Sequence, residues 1–280
     1  MARFTDLLSE GGAISAPGVH DALTALIAAR AGHRALYLGG NAMALGLGKG
    51  QPFLTLTETA ALTTRIARAI DLPLLVDAGA GFGAGSHLRL AVRELEAAGA
   101  SAIHLDDQPY PKLAGYHRGA GTLVTAEEMA ARIALARATR REMLVIARTD
   151  ALRVTKSIDE TIIRAQAYAA AGADALIVLD LDPARARAVR TALPDLPLLW
   201  IGGVAPPVPS RDDLATTGFA MALYPFSGIA ALTVALADLW RGLAETGHPP
   251  VSDETLARAR TDTLALVDMA ASWAIEDPAT

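Results

Sequence analysis

A chain of 280 residues, 52% hydrophobic and 20% charged, can bury one large core, which excludes wholesale disorder. Its formal net charge of −5 argues against nonspecific nucleic-acid binding, which needs a basic surface, so no nucleic-acid partner is expected, while a local basic pocket for an anionic substrate stays open. It contains no cysteine, which excludes disulfides, thiolate metal sites and a cysteine nucleophile or acid and fits a reducing cytoplasm.

The opening Met1-Ala2-Arg3-Phe4-Thr5-Asp6 lacks the long apolar core of a signal peptide. From there, short apolar runs alternate with stretches of helical periodicity. In chain order they are strand 13–16, helix 21–31, strand 35–38, helix 57–70, strand 74–77, helix 86–98, strand 102–105 and helix 125–139. Strand 144–148, helix 157–171, strand 175–179, helix 183–192, strand 198–201, helix 211–216 and strand 221–224 complete the alternation. Nearly continuous apolar runs are what parallel strands covered on both faces require. Thr125 with Glu128 and Ser157 with Glu160 have the spacing of capping boxes, and Gly99 and Gly172 stand where a helix end needs a left-handed residue.

Eight strands in strict alternation, with no long linker, predict an α/β chain folded as one (β/α)8 TIM barrel over residues 1–280. A doubly wound open sheet is the alternative, because alternation alone does not show closure. Two further helices, 228–244 and 254–271, form a C-terminal helical extension over 228–280 whose apolar faces need a partner, within the barrel or on another subunit. The run 229–239 is closed by Asp238 and Arg241, so a buried helix and no membrane span are expected.

In such a barrel the chemistry gathers at the carboxyl ends of the strands. Strand 2 ends at Tyr37-Leu38-Gly39-Gly40-Asn41, strand 3 at Asp77, strand 4 at His104-Leu105-Asp106-Asp107-Gln108, strand 5 at Arg148-Thr149-Asp150 and strand 6 at Asp180. Asp77 and Asp106 are candidate ligands of a divalent cation such as Mg2+. Arg148 suits a substrate carboxylate, with amides of Gly40 and Asn41 as further donors, although pairing of Arg148 with Asp150 is the structural alternative. The loop Gly79–Gly83 has neither the spacing nor the following acid of a dinucleotide fingerprint, and Gly48-Lys49 lacks the rest of a P-loop. His117 is the best-placed histidine for proton transfer, while His104 is either core or catalytic.

These strand ends resemble the isocitrate lyase/phosphoenolpyruvate mutase superfamily, in order, from about Ala16 to Ser227. The resemblance rests on Ala16-Pro17-Gly18-Val19-His20-Asp21-Ala22, Tyr37-Leu38-Gly39-Gly40, Leu54-Thr55-Leu56-Thr57-Glu58 and Ile103-His104-Leu105-Asp106-Asp107-Gln108. Ala147-Arg148-Thr149-Asp150-Ala151 is its most specific match, followed by Ala171-Gly172-Ala173-Asp174-Ala175 and Tyr224-Pro225. It implies a homotetrameric barrel that exchanges its C-terminal helices between subunits, and Mg2+-supported chemistry through an enolate of a small acid. Tyr37, Gly39, Gly40, Asn41, Asp77 and Arg148 would then bind substrate, and Asp77 and Asp106 the metal.

The departures are specific. Gly79 replaces the second carboxylate of the superfamily's Asp-x-Asp, an acidic residue is missing around Lys49-Gly50, Asp106 is shorter than the usual Glu, and Leu179 stands for a Glu on strand 6. Lys112-Leu113-Ala114-Gly115-Tyr116-His117 replaces the lyase loop Lys-Arg-Cys-Gly-His, leaving Tyr116 or His117 to handle the proton. The expectation is a divergent C–C lyase or decarboxylase of a small 2-oxo or 2-hydroxy carboxylate. The alternatives are a metal-independent enzyme of altered chemistry and a barrel that binds carboxylates without turnover.

Overall fold

The computed structural model describes residues 3–118, 121–202 and 207–277, with the side chains of His117 and Arg118 outside the described set. By internal contacts the chain divides into two units, Met1–Gly228 and Ile229–Thr280. The first holds eight parallel strands closed in sequence order: β1 (Ile14–Val19), β2 (Leu36–Leu38), β3 (Leu74–Asp77), β4 (Ala102–Asp106), β5 (Leu144–Thr149), β6 (Ala175–Val178), β7 (Leu198–Ile201) and β8 (Phe219–Tyr224). β8 pairs with β1, which removes the open-sheet alternative. β1 runs on through Pro17 and Gly18, beyond the expected end at Ala16. A Cβ at Gly18 would lie 2.5 Å from the Tyr224 carbonyl oxygen, so glycine is what lets β8 close against β1.

Side chains alternate along each strand, and the two resulting faces form two cores. Leu36, Leu38, Leu74, Val76, Ile103, Leu105, Val145 and Ala147 join the layer shared with the helices. Tyr37, Leu75, Ala102, Leu144 and Ile146 join the barrel interior, together with Phe4, Leu7 and Leu8 of the helix Phe4–Glu10. Continuing the interior parity past these residues brings Asp77, then His104 and Asp106, then Arg148, to the carboxyl-end mouth. Register sets them beside one another: Asp77 pairs with His104, and Asp106 with Arg148.

Three short helices, Phe4–Glu10, Gly40–Gly46 and Ala151–Thr155, are additions to the expected elements; at seven, seven and five residues they carry too little periodicity to read. Gly99 and Gly172 have φ of 100° and 93°, as a left-handed helix end requires. The two expected capping boxes form by half. Thr125 and Ser157 accept the amides of Glu128 and Glu160, but those glutamates turn to Arg132 and Arg164 one helical turn on. A guanidinium is a stronger partner for a carboxylate than the cap amide.

The second unit carries the helices Asp253–Leu266 and Met269–Glu276 and nearly all of Ser227–Thr246. Only Ile229 of Ser227–Thr246 is buried, while Val234 and Trp240 are exposed. The helix has 20 residues with a mean hydropathy of 1.2 over 18 of them, so by length and composition it is able to cross a membrane. Asp238 and Arg241 do not end the run; they lie within the helix and pair at 3.3 Å.

Candidate active site

One half of the mouth is a chain of three polar side chains. Asp106 Oδ1 lies 3.1 Å from His104 Nδ1, and His104 Nε2 lies 2.9 Å from the Tyr37 hydroxyl. All three are buried. Burial alone would raise the Asp106 pKa, but the charges of Arg148 and Lys112 and the hydrogen bond with His104 outweigh it and hold the carboxyl well below its ordinary range. An ionised Asp106 selects the His104 tautomer with the proton on Nδ1, leaving Nε2 to accept from Tyr37. The Tyr37 phenol is raised well above its ordinary range by burial and by Asp77, so it stays protonated.

The other half centres on Arg148. Its Nε donates to Asp150 Oδ1 at 2.9 Å and its Nη2 to the Tyr116 hydroxyl at 2.7 Å, while the same hydroxyl donates to Asp150 Oδ2 at 2.8 Å. Gln108 Nε2 also donates to Asp150 Oδ2. Among the described residues, Nη1 of this buried guanidinium has no hydrogen-bond partner, which leaves one edge of the fork for a ligand. Lys112 Nζ lies 4.4 Å from the centre of the Tyr116 ring and 3.4 Å from Asp106 Oδ2. Burial keeps the Tyr116 phenol raised, with Arg148 opposing and Asp150 adding to the shift, so it too is protonated at neutral pH.

Behind this half, Asp107 and Thr149 point the opposite way, into the layer between strands and helices. Asp107 accepts from Thr149 Oγ1 at 2.6 Å, the Asp150 amide at 2.9 Å and the Tyr168 hydroxyl at 2.9 Å, with Arg164 at 3.6 Å. Burial and the neighbouring Asp150 push its pKa up to about 6. The backbone that carries Asp150, and through it Arg148 and Tyr116, is therefore held from behind.

The expected site residues are partly brought together. Tyr37, Asp77, Asp106, Tyr116 and Arg148 converge on the mouth, and Arg148 is in fact paired with Asp150. Gly39 precedes the helix Gly40–Gly46, and Asn41 is half-buried in its first turn. The Gly40 amide, expected to bind substrate, instead donates to Asp77 Oδ2 at 3.0 Å. A Cβ there would lie 2.4 Å from Gln51 Nε2 and 2.9 Å from Asp77 Oδ2, so the approach requires glycine. The His117 side chain lies outside the described residues. The residues that sequence reading missed or left open are His104, Lys112, Gln51 and the Asp107 network. Only His104 had a local signal, its two-residue spacing from Asp106.

Asp77, His104 and Asp106 each offer one atom within 4.8 Å of the others and form a possible metal site. Magnesium takes an octahedron of oxygens and few imidazoles. Here the oxygens are already engaged. Asp77 accepts from Gly79 N at 2.8 Å, Gly40 N at 3.0 Å and Gln51 Nε2 at 3.2 Å. Asp106 meets His104, Gln108, Lys112 and, at 3.7 Å, Arg148. Two carboxylates so saturated with N–H donors do not fit magnesium held in the way the resemblance implies.

Comparison with known proteins places the fold in a family. The family described as phosphoenolpyruvate phosphomutase matches residues 4–243. The chain is 35% identical over 249 residues to a 2,3-dimethylmalate lyase from Eubacterium barkeri, covering 86% of this chain and 85% of that one. It is 34% identical over 262 residues to an oxaloacetate decarboxylase from Bradyrhizobium diazoefficiens, covering 92% and 89%. A phosphonopyruvate hydrolase solved with oxalate and Mg++ superposes with a TM-score of 0.86 at 27% identity, covering 97% of this chain and 96% of that one. A barrel closed in this order, with these residues at its mouth and a match over most of its length, belongs to the phosphoenolpyruvate phosphomutase family, within the isocitrate lyase/phosphoenolpyruvate mutase superfamily.

Proposed function

We propose that this chain is a C–C lyase or decarboxylase of a small 2-oxo or 2-hydroxy carboxylate, reacting through an enolate. The observation that carries the reading is Arg148: a buried guanidinium, anchored by Asp150 and Tyr116, with Nη1 open at the barrel mouth. Such a fork suits one carboxylate. The Lys112 ammonium, 4.4 Å from the centre of the Tyr116 ring, adds a second positive charge for a developing enolate.

For a 2-oxo acid with a carboxylate one carbon further on, the bond to that carboxylate breaks and CO2 leaves. The electron pair becomes the enolate, and a proton from the Tyr116 hydroxyl goes to its carbon. For a 2-hydroxy acid, the hydroxyl proton goes to Tyr37, whose own proton passes to His104 Nε2 against the charge of Asp106. The C2–C3 bond then breaks, C2 becomes a carbonyl, and the pair on C3 is protonated by Tyr116. His117 is the alternative acid. Tyr37, Gly39 and Asn41 line the substrate side of the mouth in this reading, and Asp77 orients the loop that faces it.

Assembly belongs to the same reading: a cytoplasmic homotetramer in which the C-terminal helices are exchanged and cover one another's apolar faces. Val234, Trp240, Val267, Trp273 and Ile275 are all exposed in the single chain, and large apolar surfaces of this kind mark interfaces.

The test is turnover, followed by proton NMR, of oxaloacetate, 2,3-dimethylmalate and 2-methylisocitrate by the wild type and by Arg148→Ala. One substrate is expected to be consumed by the wild type and spared by the variant. Equal turnover by both would remove Arg148 from the site. Oxalate binding without any turnover would favour the carboxylate-binding barrel.

A further inference from the structure

The two aspartates that the family resemblance assigns to a metal are surrounded by donors that this sequence itself supplies. Two of these stand where the resemblance expects an acid or lie next to such a position. Gly79 occupies the place of the second carboxylate of Asp-x-Asp, and its amide donates to Asp77 Oδ1 at 2.8 Å. Gln51 follows the Lys49-Gly50 stretch where another acid is missing, and its amide donates to Asp77 Oδ2 at 3.2 Å. Lys49, in the same loop, is occupied by Glu58. On the other side, the Lys112 ammonium lies 3.4 Å from Asp106 Oδ2, and both Lys112 and Asp77 line one cleft at the mouth.

We propose that this site works without a divalent cation: Lys112 supplies the charge beside Asp106, and the amides of Gly40, Gln51 and Gly79 satisfy Asp77. Buried carboxylates need compensation, either by a cation or by donors. Here the acids that would concentrate negative charge on a metal are gone, and N–H groups point at the carboxylates that remain. Each replacement makes metal binding weaker and the metal-free pocket more stable. The inference deepens the carboxylate-site reading above and rests on it for the role of Lys112, but metal binding is measured without turnover, so the two fail separately.

The experiment is calorimetric titration of the metal-stripped full chain with Mn2+ and Mg2+, each with and without oxalate, beside Lys112→Ala and the double variant Gln51→Glu/Gly79→Asp. Oxalate stands for the enolate. The wild type is expected to take up neither metal at concentrations to about 1 mM, and to bind oxalate equally well in EDTA. Lys112→Ala should weaken oxalate binding by about tenfold or more, with no recovery on adding Mn2+. The double variant should gain Mn2+ binding. At Gly79, φ is 52° and no atom lies within 4 Å of a built Cβ, a conformation that aspartate tolerates better than most residues. Gln51→Glu sets a second carboxylate about where the amide now meets Asp77.

Uptake of one Mn2+ per wild-type chain, or oxalate binding that requires metal, would overturn the proposal. Unchanged oxalate affinity in Lys112→Ala would overturn the role of the lysine. A double variant that melts early is uninformative alone, but the wild-type and Lys112→Ala titrations decide without it. If oxalate binds under no condition, the carboxylate site falls, and the Mn2+ titration still decides this inference by itself.

Discussion

Replacing Asp107 by Asn should change how stability depends on pH more than stability itself. The Asp107 carboxyl is pushed from its ordinary 3.8 to about 6 in the fold by burial and by the Asp150 charge. Its folded pKa is raised, so between these values the native state holds a proton that the unfolded chain releases. The stabilisation is therefore complete only well below pH 3.8 and is lost as pH rises through 6. At about 1.36 kcal/mol for each tenfold change in proton affinity, a rise of this size corresponds to about 3 kcal/mol. Asn mimics the protonated carboxyl in size and does not titrate. The assay is urea unfolding of both proteins from pH 4 to pH 7.5. Titrations common to both cancel, so the wild type minus the variant should fall by about 2.4 kcal/mol over that range, nearly all of it before pH 7. A difference that stays flat, or that grows with pH, would refute the argument that burial and Asp150 dominate over the three hydrogen bonds that favour the ionised form.

Arg148→Lys should lower kcat/KM by about a hundredfold with near-normal folding, because an ammonium cannot bridge Asp150, Tyr116 and a substrate carboxylate at once. Wild-type kinetics would show that charge alone suffices. Tyr116→Phe should lower kcat by a factor of about 100 to 10,000 while KM moves little, if the hydroxyl donates the proton; an equal loss in KM would mark it as a positioning group for Arg148. Trp240→Asp with Trp273→Asp should convert a sedimenting tetramer into smaller species, since both rings are exposed in the single chain. A wild type that sediments at its 29.0 kDa chain mass would refute the exchanged assembly.

The barrel was legible because its strands, covered on both faces, read as unbroken apolar runs, and because acids followed four of them. What stayed hidden follows from geometry that spacing does not express. His104 is two residues from Asp106 and shares its face, but whether that face points into the barrel depends on parity set by β3 and β5. Asp107 has the look of a partner for Asp106 and in fact turns away, toward Tyr168 and Arg164 on a helix some sixty residues on. Gln51 reaches Asp77 across 26 residues. Nothing local to Gly40 shows that Asp77 claims the amide expected to serve substrate.

The register of β3, β4 and β5 has a consequence for how this protein can change. A slip of one residue in β4 would turn His104 and Asp106 out toward the helices and send Leu105 and Asp107 inward. His104 would leave the mouth in exchange for the apolar Leu105, and Asp106 would enter the helix layer in place of Asp107, away from the hydrogen bonds of Thr149 and Tyr168, so loss of chemistry and loss of packing would arrive together. Insertions within these strands are thus closed to drift. Those just after them, in the loops after Gln108 and Asp180, lengthen the rim without touching the register, and it is there that substrate preference is free to move.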